Sequence, residues 1–159
     1  MSFSGEIKEE LSRPTSNGRH CKLAETAAII SLCGKITITE NFQYCVKIQT
    51  ENLPVARKYF TLLRKAFNIK AETSVRKSRE ARSYFVVVQK DKEARRLLRE
   101  TGLLDKDGNI HECMSLVHNQ LLRQVCCRRA FIRGAFLAVG SVSDPTKSYH
   151  FEIVCTSIE

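Results

Sequence analysis

The chain has 159 residues, of which 43% are hydrophobic, enough to bury the core of about one domain without disulfide or metal support. Its first residues carry charged side chains where a signal peptide would be apolar, and no stretch approaches the ~18 apolar residues of a membrane span, so we expect a soluble intracellular protein without a membrane partner. The net charge of +9 favours a polyanionic partner, with nucleic acid first, although a basic surface that serves solubility is the alternative.

The cysteine and histidine spacing does not predict a metal site. Seven cysteines are an odd number, and Cys126 and Cys127 are adjacent, which is unfavourable for a local disulfide or for chelation. The four histidines and the cysteines form no CxxC and no HExxH motif. We therefore expect reduced thiols, no metal and no cofactor.

The predicted elements begin with two helices. Ser4 is expected to cap a first helix with acidic residues in its early turns, and Pro14 should end that helix. A second helix is predicted over residues 22–32, where alanine and aliphatic residues dominate. Gly34 should close it.

A hairpin and a third helix follow. From residue 35 the pattern alternates with a period of two, which predicts strands over 35–39 and 43–49 with one apolar and one polar face. Asn52 then opens a helix with apolar residues at helical spacing, and Asn68 should stop it.

Two further strands are predicted over 71–75 and 83–88, joined by the strongly basic connection 76–82. Asp91 should cap a short helix that ends before Gly102. The polar loop that follows suggests a boundary between a first unit, residues 1–104, and a second unit, residues 105–159. The second unit should begin with a helical stretch from about Glu112, broken near the adjacent cysteines.

The chain contains an internal repeat. Residues 26–36 align with residues 132–142 at a constant offset, with small residues, apolar residues and a terminal glycine in register, and each copy is followed by alternating strands. The pattern predicts two pseudo-symmetric helix–hairpin units whose helices approach closely at Ala28 and Gly134. The alternative is that any two amphipathic helices ending in glycine look alike.

Residues 126–142 read CCRRAFIRGAFLAVGSV and residues 144–154 read DPTKSYHFEIV, and with the opening Ser2-Phe3-Ser4 they resemble the WhiA family over essentially the whole chain. The resemblance implies an α+β, degenerate LAGLIDADG homing-endonuclease-like fold with the second repeat incomplete. It also implies a cytoplasmic, nucleoid-associated transcriptional regulator of sporulation, cell division and chromosome segregation. Such regulators carry a helix-turn-helix domain at the carboxyl end.

The resemblance also bears on catalysis. In the endonucleases each LAGLIDADG helix ends with an acidic residue before its last glycine, and the two carboxylates bind the divalent metals. The matching positions here are Cys33 and Val139, which are poor ligands for Mg²⁺. We therefore expect no nuclease activity.

The resemblance further implies that WhiA proteins are longer than this chain. The rest of the second repeat and the helix-turn-helix would lie beyond Glu159, so we expect a piece of a longer protein. In this truncated form the uncovered sheet edge and apolar surface predict a homodimer or higher oligomer. Another regulator or a sigma factor is the alternative protein partner.

The exposed polar face of the first hairpin and the basic connection are the expected DNA contacts, the connection acting as a flexible clamp on phosphates. An ordinary solvent face and a solvated loop are the alternatives. Arg128, Arg129 and Arg133 are expected to cap or pair locally instead. The expected DNA-binding residues are Lys35, Thr37, Lys47, Gln49, Arg76, Lys77, Arg79 and Arg82, with Thr39 and Gln43 on the same hairpin face.

Overall fold

The computed structural model describes residues 2–13, 18–110 and 121–154. Within those ranges the helices are α1 (Phe3–Ser12), α2 (Arg19–Cys33), α3 (Leu53–Phe67), α4 (Asp91–Glu100) and α5 (Val125–Val139). The strands are β1 (Gly34–Ile38), β2 (Tyr44–Thr50), β3 (Glu72–Lys77), β4 (Arg82–Val88), β5 (Gly140–Val142) and β6 (Phe151–Ile153). No helix in the described ranges is both long and apolar enough to cross a membrane.

The first helix differs from the predicted one at its start. Ser2, not Ser4, caps α1, because the Gly5 N–H donates to Ser2 Oγ at 3.1 Å. Ser4 Oγ instead donates to the Val142 carbonyl at 2.8 Å and accepts the Val142 N–H at 2.7 Å. The Ser4 hydroxyl thus joins α1 to β5, a partner distant in sequence that local capping rules do not reveal.

The predicted hairpin and third helix are confirmed. β1, β2, β4 and β3 form an antiparallel sheet in that order, and Ile36 pairs with Val46 on the apolar face. That face packs on α3 and α4, where Tyr59 and Leu63 are fully buried. Asn68 ends α3 in the left-handed conformation, with a φ of 53°.

Three of the seven residues of the basic connection 76–82 belong to strands, so the paired strands extend further into it than predicted. Arg76 and Lys77 are the last residues of β3, and Arg82 is the first residue of β4. Only the segment 78–81 turns, closed by the Ser78 N–H donating to the Ala81 carbonyl at 2.9 Å. The polar composition did not predict the end of β3 as a strand. Strands pair through backbone hydrogen bonds, and both faces of β3 are exposed, so its side chains can be polar.

The fourth helix is fixed to the sheet by a side chain expected to cap it. Lys90 occupies the N-cap position, while the Asp91 carboxylate accepts the Tyr44 N–H at 2.7 Å and the Arg95 Nε–H at 2.9 Å. These bonds lower the pKa of Asp91. The helix ends before Gly102 as predicted, and Gly102 has a φ of +77°.

The repeat predicted from the sequence forms the centre of the fold, where α2 and α5 make the most extensive contact between elements. Gly34 and Gly140 cap these helices in the same extended conformation and begin β1 and β5. The helix predicted from Glu112 lies partly outside the described residues. The predicted break near the adjacent cysteines lies at residues 122–124, and Cys126 and Cys127 are in the first turn of α5, which follows it.

Candidate nucleic-acid interface

One face of the four-stranded sheet, opposite the face on which α3 and α4 pack, carries most of the predicted DNA contacts. Strand alternation and the register place Lys35 opposite Lys47, Gln49 opposite Phe85, and Arg76 opposite Ser83 on this face. We call it the open face. It comprises Lys35, Thr37, Cys45, Lys47, Gln49, Glu72, Ser74, Arg76, Ser83, Phe85 and Val87.

Phe85 organises the centre of the open face. The Lys47 ammonium lies 4.5 Å from the centroid of the Phe85 ring, and the Arg76 guanidinium carbon lies 5.6 Å from it. The two long side chains cover the ring, so that only 7% of Phe85 is exposed although it lies on the outer side of the sheet. Cation–π attraction therefore holds two positive charges over the open face.

The cations of this region are available to an external anion. None of Lys35, Lys47 and Arg76 forms a salt bridge with a carboxylate in the part of the chain described. Glu72, the first residue of the edge strand β3, is the one acidic residue on the open face. Net positive charge near neutral polar side chains is the arrangement that contacts phosphates.

The structure separates the eight predicted DNA-binding residues into three groups. Five lie on the open face: Lys35, Thr37, Lys47, Gln49 and Arg76. Lys77 and Arg82 pair with each other one step beyond the pair of Arg76 and Ser83, so alternation directs them to the opposite side of the sheet. Arg79 is exposed in the turn that joins β3 to β4.

Thr39 and Gln43 lie beyond the paired strands, in the turn of the first hairpin. The Thr39 N–H donates to the Gln43 carbonyl at 2.9 Å, and Thr39 Oγ1 accepts the Gln43 N–H at 3.1 Å. The threonine hydroxyl is therefore engaged in the turn.

The carboxyl ends of α2 and α5 are chemically unlike a metal-dependent nuclease centre. Cys33 and Val139 are the last residues of the two helices, and burial raises the pKa of Cys33 to about 12. Lys8 is buried near Cys33, with its ammonium 5.7 Å from the Phe136 ring centroid. These helix ends present a neutral thiol, an aliphatic side chain and a lysine.

Local pairing was predicted for three arginines of α5, and the structure shows it for Arg128 and Arg133. Arg133 donates two hydrogen bonds to the Glu25 carboxylate, at 3.1 and 3.0 Å. Arg128 Nε donates to the Leu122 carbonyl at 2.9 Å. Arg129 lines an apolar groove between α1 and α5.

A pair of packed helices, each ending in an extended glycine that begins an antiparallel hairpin, defines a LAGLIDADG-like fold of degenerate type, without an acid before either glycine. The model of the WhiA N-terminal LAGLIDADG-like domain matches residues 19–104, and that of the WhiA LAGLIDADG-like domain matches residues 128–159. The chain belongs to the WhiA family.

Curated relatives support the family assignment. The probable cell division protein WhiA of Lachnoclostridium phytofermentans is 43% identical over 161 residues, which cover 100% of this chain and 51% of that protein. The protein of the same name from Alkaliphilus oremlandii is 40% identical and matches 100% of this chain and 51% of its own length. The chain therefore spans about half the length of these curated relatives.

The crystal structure of the N-terminal LAGLIDADG domain of DUF199/WhiA superposes with a TM-score of 0.70 at 21% identity, covering 98% of this chain and 67% of that one. At this identity the match establishes the fold alone. The predicted fold class is confirmed.

Proposed function

We propose that this chain is the non-catalytic, DNA-associated part of a bacterial transcriptional regulator that acts at the nucleoid in sporulation, cell division and chromosome segregation, and that DNA contacts the open face. The observation that carries the proposal is the pair Lys47 and Arg76, held over Phe85 without a carboxylate partner among the described residues. The family membership and the net charge of +9 support it.

The side chains of the open face are better suited to contacting the phosphate backbone of DNA than to recognising base sequence. Lysine and arginine neutralise phosphates and release counterions, a term that does not depend on sequence. Thr37 and Gln49 can donate to phosphate oxygens or base edges from the same surface. Arg79, at the turn between β3 and β4, would add a phosphate contact at the margin, whereas Lys77 and Arg82 would contribute only to the general field.

Replacing Lys47 and Arg76 together by glutamine tests the placement of the interface, because glutamine retains part of each stem over Phe85. We expect weaker binding to all duplex sequences alike and a salt slope lower by about 0.9 for each lost phosphate contact. The matched control is the Lys77→Gln, Arg82→Gln double variant, which removes the same charge from the opposite side. Fluorescence anisotropy across several salt concentrations measures both. Equal losses in the two variants would show that net charge, and not the open face, binds DNA.

Absence of nuclease activity is the second expected result. A neutral thiol, a valine and a buried lysine at the ends of α2 and α5 should not hold Mg²⁺ or Mn²⁺ against a phosphodiester. We expect supercoiled plasmid to stay uncut when incubated with either ion and pure protein. Metal-dependent nicking that Lys8→Ala or Cys33→Ser abolishes would contradict the assignment.

A protein-interaction module, with DNA binding left to a helix-turn-helix, is the second candidate function. An apolar groove of about 470 Å³ favours it, lined by α1, α5 and the second hairpin, and including Phe3, Ile7, Phe136 and Phe151. Phe151 is 61% exposed. A second copy of the chain, rather than another regulator or a sigma factor, is the occupant we propose, since exposed apolar faces and free strand edges favour self-association.

Light scattering with an Ile132→Asp variant tests this second candidate, because Ile132 lines the groove and is 57% exposed. We expect a dimer mass for the unmodified chain and a monomer mass for the variant. A concentration-independent monomer for both proteins would exclude the groove as a self-association site.

A further inference from the structure

Four potential metal ligands meet at the amino ends of the two central helices, far along the helices from Cys33 and Val139. His20 and Cys21 lie in the first turn of α2, and Cys126 and Cys127 lie in the first turn of α5. His20 and Cys126 are 106 residues apart, the same separation that relates the two repeats. The four side chains are therefore two pseudo-symmetric pairs.

The donor atoms are already close to one another. The His20 Nδ1, Cys21 Sγ, Cys126 Sγ and Cys127 Sγ atoms all lie within 4.8 Å of one another. His20 Nδ1 is 3.1 Å from Cys127 Sγ, 3.4 Å from Cys21 Sγ and 3.9 Å from Cys126 Sγ. Zinc bonds of about 2.3 Å to sulfur and about 2.0 Å to nitrogen give tetrahedral edges of roughly 3.5 to 3.8 Å. Small side-chain rotations would therefore bring the four atoms to those separations.

The arrangement overcomes the disadvantage of adjacent ligands. Successive residues on a helix point about 100° apart, so that one adjacent pair cannot surround an ion by itself. Two facing helices supply two such pairs, each with one buried and one exposed member: Cys21 and Cys127 are buried, while His20 and Cys126 are exposed. The ion would have an inner and an outer ligand from each repeat.

We propose that His20, Cys21, Cys126 and Cys127 form a structural zinc site that links the amino ends of the two repeats. Three thiolates and one imidazole suit a borderline-soft, tetrahedral ion and disfavour Mg²⁺ and Ca²⁺, and four protein ligands leave no open position for catalysis. This is the one group of three or more such ligands that the described residues bring together. The site is independent of the open face and of the proposed DNA contact.

Metal binding would displace the protons of the three thiols, because thiolates are the ligands that zinc binds. Bound zinc would join two helix ends that are separated by most of the chain.

The test uses the whole chain, reduced, stripped of metal and then given Zn²⁺ or Co²⁺ alone. We expect one ion per chain by elemental analysis, a higher melting temperature with Zn²⁺, and with Co²⁺ the visible bands of a tetrahedral site together with thiolate charge transfer. His20→Ala and Cys126→Ser alter exposed ligands and should leave the fold intact. Each should weaken binding at least tenfold and change the Co²⁺ spectrum.

Cys45→Ser is the matched control, since Cys45 is a free thiol on the open face, outside the cluster. It should bind metal like the unmodified chain. Three results would overturn the proposal: less than stoichiometric binding by the unmodified chain, an unchanged affinity in both ligand variants, or a disulfide between these cysteines in protein kept under reducing conditions.

Discussion

Replacing Glu25 by glutamine is expected to destabilise the fold by about 3–5 kcal/mol, the cost of breaking a buried ion pair from one side. Glu25 is completely buried on α2, where its carboxylate accepts two hydrogen bonds from Arg133 of α5. Its other neighbour is Lys58 of α3, whose ammonium lies 3.6 Å from Glu25 Oε1 and whose side chain is 1% exposed. One carboxylate thus serves two cations from two helices.

The neutral amide would remove the Glu25 charge from beside Lys58, which is 1% exposed, and Arg133, which is 21% exposed. Burial already lowers the pKa of Lys58, and the Glu25 carboxylate acts in the opposite direction. Arg133 cannot relieve the charge by releasing its proton, since the Glu25 hydrogen bonds raise its already high pKa. The three side chains therefore hold α2, α3 and α5 in one arrangement.

Urea denaturation of Glu25→Gln and of a surface control measures the effect. Glu100→Gln removes the partner of Arg19, a pair joined at 3.0 Å with side chains 52% and 35% exposed. Exposed pairs contribute roughly 0–1 kcal/mol, so the control should unfold almost as the unmodified chain does. Similar midpoints for the two variants would mean that the buried cluster does not stabilise the fold as described.

The second large effect is expected at Gly134, where α5 packs closely against the backbone of α2. A Cβ atom at this position would lie 2.5 Å from the Glu25 carbonyl oxygen and 3.1 Å from the Ala28 Cβ. The first neighbour is helix backbone, so the helices must separate to admit a side chain. Overpacking of this kind costs about 1–3 kcal/mol, with more for bulkier residues.

The Gly134→Ala variant combines two opposing effects on stability. The clash with α2 destabilises the fold, whereas alanine in a helix interior is favoured over glycine by about 1 kcal/mol. We expect a net loss of stability for alanine and a greater loss for valine. Arg129→Ala, an exposed site on the same helix, should change the free energy of unfolding by about 0.5 kcal/mol or less. A Gly134→Ala variant as stable as the unmodified chain would show that the helices can separate without cost.

Local patterns account for much of the fold. Alternation from residue 35 predicted the first hairpin because its two faces meet different surroundings, and Asn68 marked the end of α3 because its backbone adopts the left-handed conformation. The matched glycines Gly34 and Gly140 predicted the repeat, since both positions cap a core helix and begin a strand.

Features set by tertiary contact were missed. The ends of β3 and β4 are exposed and charged, so composition indicated a loop where the ladder continues from Arg76 to Lys77. Phe85 lies beneath Lys47 and Arg76 because of the register between neighbouring strands. That register cannot be predicted from the sequence of one strand.

The thiol–imidazole cluster was missed for a similar reason. Motif spacing along one segment cannot find ligands contributed by two repeats. The repeat offset, extended back from Thr26 to His20 and Cys21, would have placed these residues against Cys126 and Cys127.

The most direct test of the central claim is a titration of the unmodified chain with a duplex DNA at several salt concentrations. If the open face engages phosphates through Lys35, Lys47 and Arg76, binding should be measurable at low salt, and log affinity should fall linearly with log salt. The slope should be about −2 to −3, near −0.9 per contact. Absence of binding at low salt, or binding that salt does not weaken, would contradict the account.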